Sequence, residues 1–254
     1  MKYSQFLLFT ITLTVLAISQ ATAQKTITFP SQDSLLITAD TYIAHTDKKT
    51  PLIVLFHQAG WSRGEYREIA PKLNALGFNC IAVDQRSGKG VNDVRNETAQ
   101  RAEKAGKSTT YPDARQDMIA ALKYARRHYA DDKLIAWGSS YSAALVLQIL
   151  GSQPDLADGA LSFSPGEYFS RFGKSNTWVR DAARHIKIPV FITSAKRESD
   201  SWSAIFAAIP SKNKTAHLPS TGGNHGSRAL WEKFDDNADY WEAVTTFLKT
   251  NFLN

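Results

Sequence analysis

The chain has 254 residues, 43% of them hydrophobic and 21% charged. That is the balance of a globular protein and excludes disordered, collagen-like and coiled-coil classes. Thirty Lys and Arg stand against 24 Asp and Glu, a formal net charge of +6; the basic residues are scattered, without a reading motif, so nucleic acid is not an expected partner. Cys80 alone excludes an intramolecular disulfide and any metal site built on several thiolates.

In chain order, residues 1–23 read as a secretory signal. Lys2 precedes the apolar run Phe6–Ile18, and Ala21-Thr22-Ala23 fits the small-x-small cleavage rule. The run is short for about 30 Å of hydrocarbon, so we expect removal, a secreted or periplasmic protein without a membrane span, and one α/β domain over residues 24–254.

Thr26–Phe29 and Leu35–Ile43 suggest a hairpin. Leu52–Phe56, Cys80–Val83, Leu134–Trp137, Ala160–Phe163, Val190–Thr193 and Thr215–Leu218 follow as further strand runs. Most are apolar at nearly every position, as strands covered on both faces are. Helical patterns are expected near Glu65–Leu76, Ala114–Tyr129 (N-capped by Asp113), Tyr141–Leu150, Trp202–Ala208 and Ala238–Leu253, the last laying Trp241, Val244, Phe247 and Leu248 on the core. The alternation predicts a doubly wound, mostly parallel eight-stranded sheet with ligands beyond the carboxyl ends of its strands. Ser87–Pro112, with Lys89, Arg95, Arg101, Lys104 and Lys107, reads as a solvated excursion, or else as a basic rim for carboxylate-bearing substrates. Ser164–Ile188 is long enough only for a small lid.

The strongest local signal is Trp137-Gly138-Ser139-Ser140-Tyr141-Ser142, which resembles the nucleophile elbow G-x-S-x-G with Ser in the last position. A serine hydroxyl needs a neighbouring base and an oxyanion site to act; the plain alternative is a serine capping the helix that follows. In this architecture the base comes after the nucleophile, and only His185, His217 and His225 do so. His185 looks like a solvated helix end and His217 like a sheet-face residue. His225 sits in the glycine-flanked loop Gly222-Gly223-Asn224-His225-Gly226 beyond the last strand, where an imidazole could reach Ser140. For the acid, Glu198 stands after the Val190–Thr193 strand at the appropriate offset, with Asp200 and Glu167 as the other candidates. Oxyanion donors are expected from the backbone N–H of Tyr141 and of Ala59, with Gln58 as the alternative to Ala59. His57 reads as a structural hydrogen-bonder. Arg86 either faces substrate or anchors its loop to Asp84.

His57–Gly60, Asp84-Gln85-Arg86, Gly138–Ser142 and Gly223–Gly226, in that order, together resemble the α/β-hydrolase superfamily, nearest its dienelactone-hydrolase-like and serine-aminopeptidase-like branches. The resemblance implies the α/β-hydrolase fold, a triad of Ser140, His225 and an acid, and acyl-enzyme hydrolysis needing neither metal nor organic cofactor. Dienelactone hydrolases use a cysteine nucleophile, which this elbow lacks, so their substrate is not expected. We expect a carboxylic ester as the small-molecule substrate, with short peptide amides behind it, and an apolar acyl pocket walled by Phe169, Phe172, Trp178, Trp61 and Trp202. The alternative is a small-molecule-binding protein that keeps the scaffold without catalysis.

Overall fold

The computed structural model describes residues 24–253; the expected leader lies outside them. Lys25–Pro30 (β1) and Leu36–Tyr42 (β2) form the expected antiparallel hairpin. The chain then alternates through Leu52–Phe56 (β3), Ile69–Ala75 (α1), Asn79–Val83 (β4), the two-residue strands Gly90–Val91 (β5) and Val94–Arg95 (β6), Glu97–Lys104 (α2) and Ala114–His128 (α3). Leu134–Ser139 (β7), Tyr141–Ser152 (α4), Gly159–Phe163 (β8), Trp178–Ala183 (α5), Val190–Thr193 (β9), Asp200–Ala208 (α6), Lys214–His217 (β10) and Asn237–Phe252 (α7) complete it.

Eight strands form one sheet in the order β1-β2-β4-β3-β7-β8-β9-β10. β2 runs antiparallel to both neighbours and every other pairing is parallel. The period-2 alternation of side chains divides each central strand between two cores. Val54, Phe56, Leu134 and Ala136 pack with α3, α4, α5 and α6 on one face. Ile53, Leu55, Ile135 and Trp137 pack with α1 and α7 on the other. The register brings the carboxyl ends level, with Phe56 opposite Gly138, Ser139 opposite Phe163, and Phe163 opposite Thr193. The loops after β3, β7, β8 and β9 therefore leave the sheet along one lip.

Several local expectations are revised. The helix expected from Glu65 divides into a 3-10 turn at Arg63–Tyr66 and α1. Arg63 and Glu65 are both buried, and an uninterrupted α-helix would turn residues two apart toward different sides. Ser87–Pro112 is more than a bare solvated excursion. Asn96 caps α2 by accepting the Ala99 N–H at 2.8 Å, Thr98, Ala99 and Ala102 are buried, and Arg101 and Lys107 pair with Glu97 and Asp33. Arg86 meets neither substrate space nor Asp84. It is 2% exposed and pairs with Asp117 at 2.7 Å and Asp33 at 2.9 Å, while Asp84 takes Arg63 at 2.6 Å. Asp113 accepts from Ser108 and Thr110 rather than from an α3 amide. Trp241 is only half-buried, its indole donating to Leu230 O, and Tyr240 takes the fully buried position. Among the described residues no helix is long and apolar enough to cross a membrane.

Candidate active site

The turn after β7 is forced by close approach. A Cβ on Gly138 would lie 2.5 Å from the Ala143 N and from Ser142 backbone atoms, so only glycine lets the strand pass under the helix that follows. The next turn residue, Ser140, sits at φ 59° and ψ −120°, a conformation that costs roughly 1–3 kcal/mol for a side-chain-bearing residue. Its N–H donates to Phe163 O at 2.7 Å, which pins the strained turn to β8. Ser142, where the motif has glycine, uses its hydroxyl. It donates to His57 O at 2.5 Å and accepts from the Gln85 amide at 2.6 Å, tying α4 to the loop after β3.

Ser140 makes no helix-capping hydrogen bond. Its hydroxyl instead lies 2.8 Å from His225 Nε2, and His225 Nδ1 lies 2.9 Å from Glu198 Oε1. A proton on Nδ1 donated to the carboxylate leaves Nε2 free to accept from Ser140. Burial raises the Glu198 carboxyl, but the hydrogen bonds from His225 and Ser164 together with the His225 charge outweigh it and hold the group below the usual carboxylate range. The other candidate acids lie elsewhere. Asp200 is exposed at the start of α6. Glu167 accepts the Val179 and Arg180 N–H groups at 3.0 and 2.8 Å.

Two residues invisible to sequence reasoning support this trio. Ser164, at φ 57° just beyond β8, donates to Glu198 Oε2 at 2.7 Å and accepts the Gly226 N–H at 2.9 Å. Its only sequence signal is a serine-proline pair after an apolar run. Glu65 accepts from Ser139 Oγ at 2.7 Å and from the Gln58 N–H at 2.8 Å. A glutamate inside a helix-like stretch carries no signal at all. Gly226, at φ 71°, follows the histidine, and a Cβ there would lie 2.5 Å from Ser139 Oγ.

Because Gln58 donates to Glu65, Ala59 is left as the amide of the β3 loop free to serve an oxyanion. Ala59 and Tyr141 line a cleft of about 350 Å³ together with Ser140, and Tyr141 opens α4, where first-turn N–H groups lack helical acceptors. His57 is buried, with Nδ1–H donating to Gln58 O at 2.8 Å and Nε2 accepting from Gln85 N and the Asn96 amide. Burial lowers its pKa to about 4, so the ring is neutral. A larger cleft of about 580 Å³ lies between β10 and α7, beside His217 and Asp239, and does not include Ser140. Among the described residues no group of three or more His, Cys, Asp or Glu is disposed to hold a metal ion.

The cleft wall differs from the apolar pocket expected. Phe169 is buried against the edge of Trp178, Trp61 stacks on Trp231, and Trp202 is buried with its indole on Ser194. These rings cover the cores. Tyr111, Tyr141 and Tyr168 wall the cleft instead, with Glu167, Ser170 and Arg171. Tyr111 stacks on Tyr141 at 4.6 Å, and the Arg171 guanidinium lies 4.9 Å from the Tyr111 ring centre. Among the described residues Arg171 has no carboxylate partner.

The family model described as serine aminopeptidase, S33, matches residues 47–172. The fold also matches the Pyrococcus furiosus esterase Pf2001 at a TM-score of 0.68 and 18% identity, covering 91% of this chain and 93% of that one. The chain has the α/β-hydrolase fold. Two further structural neighbours are a dienelactone hydrolase from Anabaena variabilis (TM-score 0.68, 11% identity, 91% and 98% coverage) and Est1E from Butyrivibrio proteoclasticus with ferulic acid bound (0.66, 14%, 90% and 100%). No curated protein matches its sequence. The family match spans the elbow and the β3 loop of this hydrolase but ends before Glu198 and His225.

Proposed function

We propose that this α/β-hydrolase is a secreted or periplasmic serine hydrolase of carboxylic esters, with short peptide amides as poorer substrates. Ser140 attacks the carbonyl while His225 takes its proton, Glu198 orients and stabilises the imidazolium, and the N–H groups of Tyr141 and Ala59 hold the oxyanion. His225 then returns the proton to the leaving alcohol, and water, activated by the same imidazole, releases the acid from Ser140. The observation that carries the reading is the unbroken relay from Ser140 through His225 to Glu198, at 2.8 and 2.9 Å.

The cleft supports a compact substrate. Tyrosine rings suit a flat acyl or alcohol group, and Arg171 at the wall, without a carboxylate partner among the described residues, favours one that carries a carboxylate. The ferulic acid bound to Est1E from Butyrivibrio proteoclasticus is a flat aromatic acid, of the shape such rings suit.

A panel of nitrophenyl esters, neutral butyrate beside anionic hemisuccinate, tests both points. Wild type is expected to release nitrophenol and to react covalently with a fluorophosphonate, and Ser140→Ala to do neither. Arg171→Gln should lower kcat/KM for the hemisuccinate about tenfold and leave the butyrate unchanged. Labelling that persists in Ser140→Ala would exclude Ser140 as nucleophile. A wild type that releases no nitrophenol and copurifies with a metabolite would return the protein to the non-catalytic binding class.

A further inference from the structure

The proposed mechanism leaves one buried carboxylate without a part. Glu65 is fully enclosed beneath the site, yet it touches the supports of three catalytic loops. Its Oε2 accepts the N–H of Gln58, the residue before the proposed oxyanion donor Ala59, at 2.8 Å. Its Oε1 accepts the hydroxyl of Ser139, the residue before Ser140, at 2.7 Å. Ser139 Oγ in turn accepts the N–H of Ser227, two residues after His225, at 2.9 Å. Ser227 is itself held by the Trp137 indole, which donates to its Oγ at 2.8 Å.

We propose that Glu65 is a positioning residue that sets the spacing of oxyanion amide, nucleophile and histidine through one hydrogen-bonded carboxylate. The proposal rests on the serine-hydrolase reading above and deepens it. Of the five residues in the cluster, Glu65 alone accepts through its side chain from two loops at once. Ser139 passes that constraint to a third, by donating to Glu65 and accepting from Ser227. The fit at Gly226 is close, since a Cβ there would meet Ser139 Oγ at 2.5 Å, so the histidine loop packs directly on this serine. A neutral amide at position 65 keeps the shape and one acceptor but cannot accept from both loops. The amide nitrogen can then reach Ser139 only by donating to its hydroxyl oxygen, which reverses that bond and crowds the one from the Ser227 N–H. Small displacements of reacting groups weaken catalysis far more than binding.

Acylation is measured on full-length mature protein, per active site, by the burst of nitrophenol and by the rate of fluorophosphonate inactivation. The fraction of competent sites comes from titration. Glu65→Gln is expected to lower the acylation rate per titrated site by about 10- to 100-fold, with KM within about threefold. Ser139→Ala should give a comparable loss, and the double variant no more than the worse single, because both cut one chain of contacts. A purely structural glutamate would reduce the titratable fraction or the melting temperature and leave the per-site rate at the wild-type value; that outcome overturns the proposal. If Glu65→Gln fails to fold, Ser139→Ala decides alone, and a wild-type per-site rate there also overturns it. A wild type inert to both reagents would instead overturn the catalytic reading of Ser140, and this inference with it.

Discussion

Ser164 joins the acid loop to the histidine loop through a single oxygen, and Ser164→Ala removes both of its hydrogen bonds with minimal change of shape. The donated bond ends on Glu198 Oε2 at 2.7 Å. A hydrogen bond to a charged acceptor contributes roughly 1.5–3 kcal/mol. The Glu198 side chain is 20% exposed, so water can substitute in part and the lower figure applies. The accepted bond comes from the buried Gly226 N–H, and stranding a buried donor costs about 1–3 kcal/mol. The expected loss is therefore about 2.5–4.5 kcal/mol, or roughly 5–18 °C in Tm for a domain of this size. Catalysis should fall about tenfold, because Glu198 and the histidine loop lose the shared oxygen that holds the carboxylate in line with His225. Urea unfolding and burst kinetics on the same preparation measure the two effects. A stability loss below about 0.5 kcal/mol at an unchanged m-value, with kcat also unchanged, would refute the reasoning.

Glu198→Gln should lower acylation by roughly 10³–10⁴-fold, whereas Asp200→Asn, at an exposed site on α6, should leave it within about threefold; equal losses in a nitrophenyl ester assay would contradict the assignment of the acid. Arg86→Met strands Asp117, whose side chain is 0% exposed but keeps Ser31 and a backbone N–H, so a urea titration should show a loss near the low end of the 3–5 kcal/mol range for a broken buried pair, about 3 kcal/mol. Glu65 also gives a pH signature. Burial raises its pKa from 4.5 to about 7 against the hydrogen bonds from Ser139 and Gln58 and the charge of Arg228. A raised folded pKa means the folded protein holds this proton more tightly, so the associated stability is complete below about pH 4.5 and is lost as pH rises through 7. Between pH 5 and pH 8 that loss is about 2–3 kcal/mol. Glu65→Gln should lack this component, and parallel stability-versus-pH curves for variant and wild type would contradict it.

Repetition and local sterics were open to reading in one dimension. The apolar runs mark the strands because a strand covered on both faces must be apolar at nearly every position. The elbow was legible because Gly138 is demanded by neighbours within the same short segment. His225 could be singled out because chain order leaves few histidines after Ser140, and because the Gly222–Gly226 stretch is free of strand and helix patterns.

The partners those segments choose were not legible. Glu167, Glu198 and Asp200 are three carboxylates near strand ends, and the offset after Val190–Thr193 puts Glu198 first without separating it decisively from its neighbours. The decision comes from the level ends of β7, β8 and β9, which carry Glu198 to His225, and from α5, whose first amides draw Glu167 away. The aromatic residues were equally ambiguous: a ring fits a core as well as a pocket, and the packing of α4 against α5 sends Phe169 inward while leaving Tyr111 and Tyr168 on the cleft. Arg86 pairs with Asp117 and Asp33 rather than Asp84 because the fold brings distant carboxylates to it and gives Asp84 to Arg63. Periodicity and turn chemistry act over a few residues and are written in the sequence. Pairing of charges and hydrogen-bonding groups across loops depends on distances that exist only once the sheet has set its register, and Glu65 and Ser164 acquire their places only there.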